Sequence, residues 1–367
     1  MAIAQDTVLA LGIEHQQAAR LYAMLASAQY DAIVEAQKST LGVSETAAAA
    51  VASHAVLSTE FNWRQSTVYD PVLAAQLATA EVSAGQLPVI KNLVANSVRT
   101  ILSKRLVDGS SAFADFKPAD SSPENVGRYQ LTPGQVSVHY PQVASASGFY
   151  LTSKDIDAFT AKMTAFKLDD PEYAAQLQQT YWLGSATSPN RTEYDTGSAR
   201  FWAQGDGTST LAGFWVSAAI ALLPESTPLL VQARFLKLLT TSFWDTSVAC
   251  TAHGARPADP SWSPLLSTPT DPEYISSHTA TTGAALYLFE SHFGANVPFS
   301  AASLSAPDLG TRTWPSFRQA ALEVGWSRVF AGVHLRKSND DGMALGATIA
   351  KRIHSRFFKS SSLEDVF

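Results

Sequence analysis

The sequence predicts an all-α fold of packed helical bundles. Three features predict it. Large apolar residues recur at spacings of three and four within long, often Ala-rich stretches, as one face of a 3.6-residue helix requires. Capping residues and acidic first turns bracket several of these stretches. Few segments alternate with period two, and no unit repeats at 20–50 residues, which excludes a solenoid.

The elements follow in chain order. Residues 15–36 and 44–58 are Ala-rich with spaced large apolar side chains. Ser83–Val107 carries Ile90, Leu93, Val94, Val98, Ile101 and Leu102 at helical spacing, modified near Pro88. Residues 109–150 are rich in Gly, Ser, Pro and Asp and hold no period, which predicts a long loop or crossover. Ser153–Phe166 resumes the helical pattern, with Ser153 as N-cap and Asp155 and Asp157 in the first turn. Pro171–Leu183 places Pro in a first turn. Two strongly apolar helices are predicted at about 208–223 and 228–248. Residues 255–275 hold five of the 18 prolines, so they form a structured, non-helical connection. His278–Phe293, Pro315–Val324 and Asn339–Arg356 complete the set. The last is read with Asn339 as cap, Asp340 and Asp341 at its start, and Lys351, Arg352 and Arg356 at its end, as the helix dipole prefers.

Composition limits the function. Apolar residues make up 46% of the 367, enough to bury a real core and exclude a disordered chain. Lys and Arg number 26 against 32 Asp and Glu, and residues 1–150 and 151–367 each net −3. No basic half exists to attract nucleic acid, so any small anion must be held by a local cluster. The single cysteine, Cys250, excludes an intrachain disulfide and a Cys-rich metal site. No signal peptide is read at the N-terminus, and a cytoplasmic location is the default expectation. The longest apolar run, Leu211–Leu223, is short of the ~20 residues that span a bilayer.

Common catalytic motifs are absent. There is no Walker A sequence, no G-x-S-x-G elbow and no H-E-x-x-H. Gly205-Asp206-Gly207 reads as a turn before a helix, and Cys250 with His253 has no second ligand pair. His15, His54, His139, His292 and His354 have no motif around them and read as packing or surface residues.

Three segments in the last third stand out: Ala255-Arg256-Pro257; Glu273-Tyr274-Ile275-Ser276-Ser277-His278, running into a helix; and Ser327-Arg328 through Gly332-Val333-His334. Together they can form an oxyanion pocket. Ser276 and Ser277 start a helix, where unpaired N–H groups and the dipole favour an anion. Arg256 and Arg328 supply permanent charge and planar forks suited to a tetrahedral oxyanion. His278 would face the same anion from the first turn. On a continuous helix His334 would diverge from Arg328 by ~120°, so Gly332 is read as the break that turns it back. Each segment also has a plain structural reading: Ser-Ser-His as an N-cap string, Arg-Pro as a helix exit.

In order and spacing the segments resemble the signature shared by vanadium-dependent haloperoxidases and the type 2 phosphatidic acid phosphatase superfamily: K-x6-R-P, P-S-G-H, S-R-x5-H. Ser188-Pro189-Asn190-Arg191-Thr192 with Phe201-Trp202, Asp259–Leu265 and Thr268–Tyr274 further resemble the bacterial-type haloperoxidase group. The resemblance implies a haloperoxidase/acid-phosphatase-like fold. It is laid out as one large domain over residues 1–360: N-terminal helices at 1–110, a loop or crossover at 111–150, and a catalytic bundle at 151–356 before a tail at 357–367. It implies vanadate as cofactor, with phosphate as a mimic. Its partners are hydrogen peroxide, halide and a small organic nucleophile; relatives are often dimers, so a homodimer is open. By position, His334 would ligate vanadium. Arg256, Arg328, the Ser276 hydroxyl and the Ser277 N–H would hold the oxygens. His278 would take a proton from peroxide during oxidation of halide to a hypohalous species.

This chain departs from the signature. The lysine position holds Ala249, and His253 or Lys337 are the nearest substitutes. The signature Pro and Gly are Ile275 and Ser277, and Ser338 stands where many relatives carry Asp. These departures keep two alternatives open: a soluble acid phosphatase using the same pocket, or a catalytically degenerate relative.

Overall fold

The computed structural model describes residues 1–117, 119–120, 122, 124, 129–132, 135–136, 138–205, 207–250 and 262–360, excepting the side chains of residues 359 and 360. The described residues form thirteen α-helices and one small hairpin. The first five helices are α1 (Ala2–Leu11), α2 (His15–Lys38), α3 (Glu45–Glu60), α4 (Asp70–Thr79) and α5 (Gln86–Leu106). The described residues between α5 and α6 are mostly irregular, with a 3-10 turn at Pro141–Ser145. Then come α6 (Ser153–Thr160), α7 (Pro171–Gly184), α8 (Glu193–Phe201), α9 (Thr210–Leu222) and α10 (Leu229–Cys250). The chain ends with α11 (Ser277–Phe293), β1 (Phe299–Ala302), β2 (Thr311–Trp314), α12 (Phe317–Phe330) and α13 (Arg336–Ser360).

Helix α2 is buried along most of its length because its alanines let neighbours approach closely, with Ala18, Ala23, Ala26 and Ala28 fully enclosed. It packs on α3, α5 and α10, and α10 in turn packs on α11 and α13. One continuous apolar cluster runs from Ala4 in α1 to Phe357 in α13. Asp245 of α10, fully buried, accepts the backbone N–H groups of Phe149, Tyr150 and Leu151, which ties the end of the irregular stretch to the helix that precedes the Pro-rich connection.

The tightest packing is between α11 and α13. A Cβ on Gly346 would lie 1.8 Å from the Ala280 carbonyl oxygen, and one on Gly283 would lie 2.1 Å from that of Met343. Only glycine permits this backbone-to-backbone approach. The seam fixes the start of α11 against the start of α13, where the candidate site lies.

Several boundaries differ from the sequence reading. Helix α13 begins at Arg336, so Asn339 is not its cap; its Nδ2 donates to the Leu335 carbonyl inside the helix. The cap of α6 is Thr152, one residue before Ser153, in a capping box with Asp155. Helix α6 also stops at Thr160 rather than Phe166; only Ile156 and Thr160 are buried, so no apolar stripe supports a further turn. Helix α12 runs on to Phe330. Helices α1, α4 and α8 and the hairpin are additions. The strands have four residues each, too few for a period to register, and are held by Phe299 stacked on Trp314. The described part of the Pro-rich connection, from Trp262 onward, is non-helical as expected.

Candidate functional site

The start of α11 is built as anticipated. Ser276 is its fully buried N-cap, and Oγ accepts the Thr279 N–H at 3.4 Å. That bond leaves the hydroxyl hydrogen free to donate. Ser277 opens the helix, so its N–H belongs to the first turn, whose N–H groups have no intrahelical acceptor. His278 follows, with Nε2 within 3.1 Å of the Trp202 carbonyl oxygen and 3.0 Å of the Ala203 carbonyl oxygen. Carbonyls only accept, so Nε2 carries the proton and Nδ1 is the free base. Burial first, then the charges of Arg328, His15 and His334, hold the pKa of His278 well below the ordinary imidazole range.

Gly332 breaks the path from Arg328 to His334 as the sequence reading expects. Helix α12 ends at Phe330; Gly332 then adopts φ +78°, and the N–H groups of Val333 and His334 both return to the Arg328 carbonyl. A Cβ at Gly332 would lie 2.6 Å from the Gly184 carbonyl oxygen, so both conformation and space call for glycine. His334 Nδ1 donates to the Glu273 carbonyl at 2.7 Å. This fixes the tautomer and leaves Nε2 with its lone pair, the arrangement of a metal-ligating histidine. Glu273 does more: Oε1 accepts the Leu335 N–H at 2.7 Å, and Ser338 Oγ donates to the same Glu273 carbonyl at 2.6 Å. Ser338 therefore helps to hold the backbone that orients His334.

Arg328, in the last turn of α12, is 4% exposed. Its Nε and Nη1 are buried with no hydrogen-bond partner. Burial lowers its pKa to about 10, with the Asp271 carboxylate opposing the fall, so the guanidinium stays charged at neutral pH. A buried cation with unmet donors is costly unless an anion meets it. Arg328 and the α11 N-terminus offer donors that fit a tetrahedral oxyanion, while the His334 Nε2 lone pair suits a metal at its centre and the His278 Nδ1 lone pair suits a proton.

Other sequence candidates fall elsewhere. Arg256 and His253 lie outside the described residues. Lys337 is committed to Asp341, so it does not stand in for the missing lysine. Ala249 is fully enclosed in the core, one residue before the end of α10. The Cys250 thiol is pushed up to about 12, by burial and then by the charge of Asp271, and stays protonated. His54 pairs with Asp70 and His139 with Glu14. His15, read as ordinary packing, is instead 3.5 Å from Asp271 in a cavity that Ser277 also lines. The sequence carried no signal for it, because it reaches the site only through tertiary packing.

Behind the site stands an aromatic wall. Phe201, Trp202, Phe214, Trp215, Phe299 and Trp314 pack ring against ring. At its edge Glu323 accepts from Trp202 Nε1, Trp314 Nε1, Ser198, Tyr194 and Arg312. Burial pushes its pKa up, but the hydrogen bonds outweigh it and hold the carboxyl below its usual value. Glu323 thus anchors Trp202, whose carbonyl orients His278.

Comparison with solved structures decides the fold. The chain superposes on the first bacterial vanadium-dependent iodoperoxidase with a TM-score of 0.79, at 20% identity, covering 96% of this chain and 93% of that one. Its fold is that of the vanadium haloperoxidases. The apo and holo forms of a bacterial vanadium-dependent chloroperoxidase each give a TM-score of 0.70 at 12% identity. They cover 94% and 97% of this chain and 93% and 95% of theirs. The family model for the VCPO second helical-bundle domain matches residues 247–361, a span that contains Arg256, Ser276–His278, Arg328 and His334. No curated protein matches the sequence. Among the described residues no helix is long and apolar enough to cross a membrane.

Proposed function

We propose that this chain is a vanadate-dependent haloperoxidase, using hydrogen peroxide to oxidise halide to a hypohalous species that reacts with a small organic nucleophile. The observation that carries this reading is buried Arg328, with Nε and Nη1 unmet beside the α11 N-terminus and His334. Vanadate, when bound, supplies a Lewis-acidic centre for activating peroxide. His334 Nε2 would be its ligand, with the tautomer set in advance by the Glu273 carbonyl. Arg328, the Ser276 hydroxyl and the Ser277 N–H would hold the oxyanion oxygens, and the sequence resemblance adds Arg256. His278 Nδ1 accepts a proton from the incoming peroxide. Its depressed pKa keeps that nitrogen unprotonated at neutral pH, and its Nε2–H is anchored to two carbonyls so the ring does not turn.

Ala249 removes one donor that the signature would supply, and a hydrogen bond to a charged group contributes about 1.5–3 kcal/mol. That favours a second reading, oxyanion binding without halide turnover. The test is bromide and iodide oxidation by peroxide in the full chain, with and without added vanadate, alongside vanadate binding. Vanadate-dependent turnover lost in His334→Ala supports the first reading; binding without turnover supports the second. Release of p-nitrophenol from its phosphate ester, lost in the same variant, would instead mark a phosphatase.

A further inference from the structure

The fold brings His15, from the far end of the chain, to a cavity that borders this pocket at Ser277. His15 opens α2, and its Nε2 is buried, makes no hydrogen bond, and lies 3.5 Å from Asp271 Oδ2. A cavity of about 200 Å³ is lined by His15 and Asp271 together with Ser277, Ile275 and Cys250. Asp271 acts electrostatically on Arg328, and His15 acts on His278. A carboxylate therefore stands beside a pocket whose other groups suit an anion, where it would repel the ligand and draw on the charge of Arg328. Of the other ionisable groups that line the cavity, His139 is committed to Glu14, and the Cys250 thiol stays protonated.

We propose that His15, in its protonated form, is a positioning residue of the oxyanion site: it pairs with the Asp271 carboxylate and offsets its charge, so that the charge of Arg328 is kept for the anion. This rests on the oxyanion reading of the pocket, and it gives the N-terminal helices a part in the site.

The experiment is calorimetric titration of the full chain with orthovanadate and, separately, with inorganic phosphate. His15→Ala should weaken both about tenfold. Asp271→Asn should tighten both, an opposite sign that a merely structural role would not produce. In the Asp271→Asn background, His15→Ala should have no further effect, because the charge it offsets is gone. Wild-type affinity in His15→Ala, or an undiminished loss in the Asp271→Asn background, overturns the proposal while leaving the pocket standing. A wild-type chain that binds neither anion overturns the oxyanion reading and this inference with it.

Discussion

The two ends of α11 carry the same residue types and differ in what they can bind. At its N-terminal end are His278, Arg328 and His334. At its C-terminal end are His292, Arg234 and His354, lining a cavity of about 400 Å³ with Phe235, Leu238 and Phe358. The difference lies in direction. At the first end the helix dipole is positive and its N–H groups point outward; at the second the dipole is negative and favours cations. At the first end backbone carbonyls fix both imidazoles; at the second His292 stacks on Phe235 at 4.5 Å, and His354 packs edge-on to Phe358. One arginine and two histidines suit an oxyanion only where the backbone aims them.

That comparison can be broken at either end. The largest effect is expected from Gly346→Ala, which pushes a methyl into the Ala280 carbonyl and should cost about 3 kcal/mol, read as a fall in denaturation midpoint. At the opposite end Gly294→Ala meets open space, and only its φ of +97° resists, so about 1 kcal/mol is expected. Next is Arg328→Ala, which should weaken vanadate binding roughly hundredfold, whereas Arg234→Ala should leave it unchanged. Glu323→Gln weakens a hub of five donors and should cost about 2 kcal/mol. The sign of its pH dependence follows from linkage. The folded pKa is depressed, so the Glu323 contribution is present above the unfolded value of about 4.3 and is lost as pH falls through the folded value. Urea denaturation of wild type and Glu323→Gln across that range should converge at the acid end. The smallest effect belongs to His292→Phe, which should shift stability by less than about 1 kcal/mol and leave anion binding untouched.

How far the sequence could be read follows the same division. A long helix such as α2 announces itself by period, the buried α10 by its continuous apolar length, and local strings such as Ser276-Ser277-His278 announce a helix start. Gly332 was legible because a helix could not otherwise turn His334 toward Arg328. The hairpin was not, because four-residue strands leave too little alternation to detect. Asn339 misled because an amide can cap a helix or bond back within one, and only the neighbouring turn decides which. His15, Glu273 and Glu323 escaped for a common reason: each acts on a partner reached only by tertiary packing.

The hold on His334 has a consequence of its own. The acceptor that orients its ring is the carbonyl of Glu273, not a side chain, and the same oxygen also receives Ser338. A peptide oxygen is common to all twenty amino acids, so no point mutation at 273 deletes it. Glu273→Ala would remove the carboxylate bond to Leu335 but leave the acceptor of His334 in place. The orientation of this imidazole is thereby vested in the path of the chain, and losing it takes a displaced backbone rather than an altered side chain.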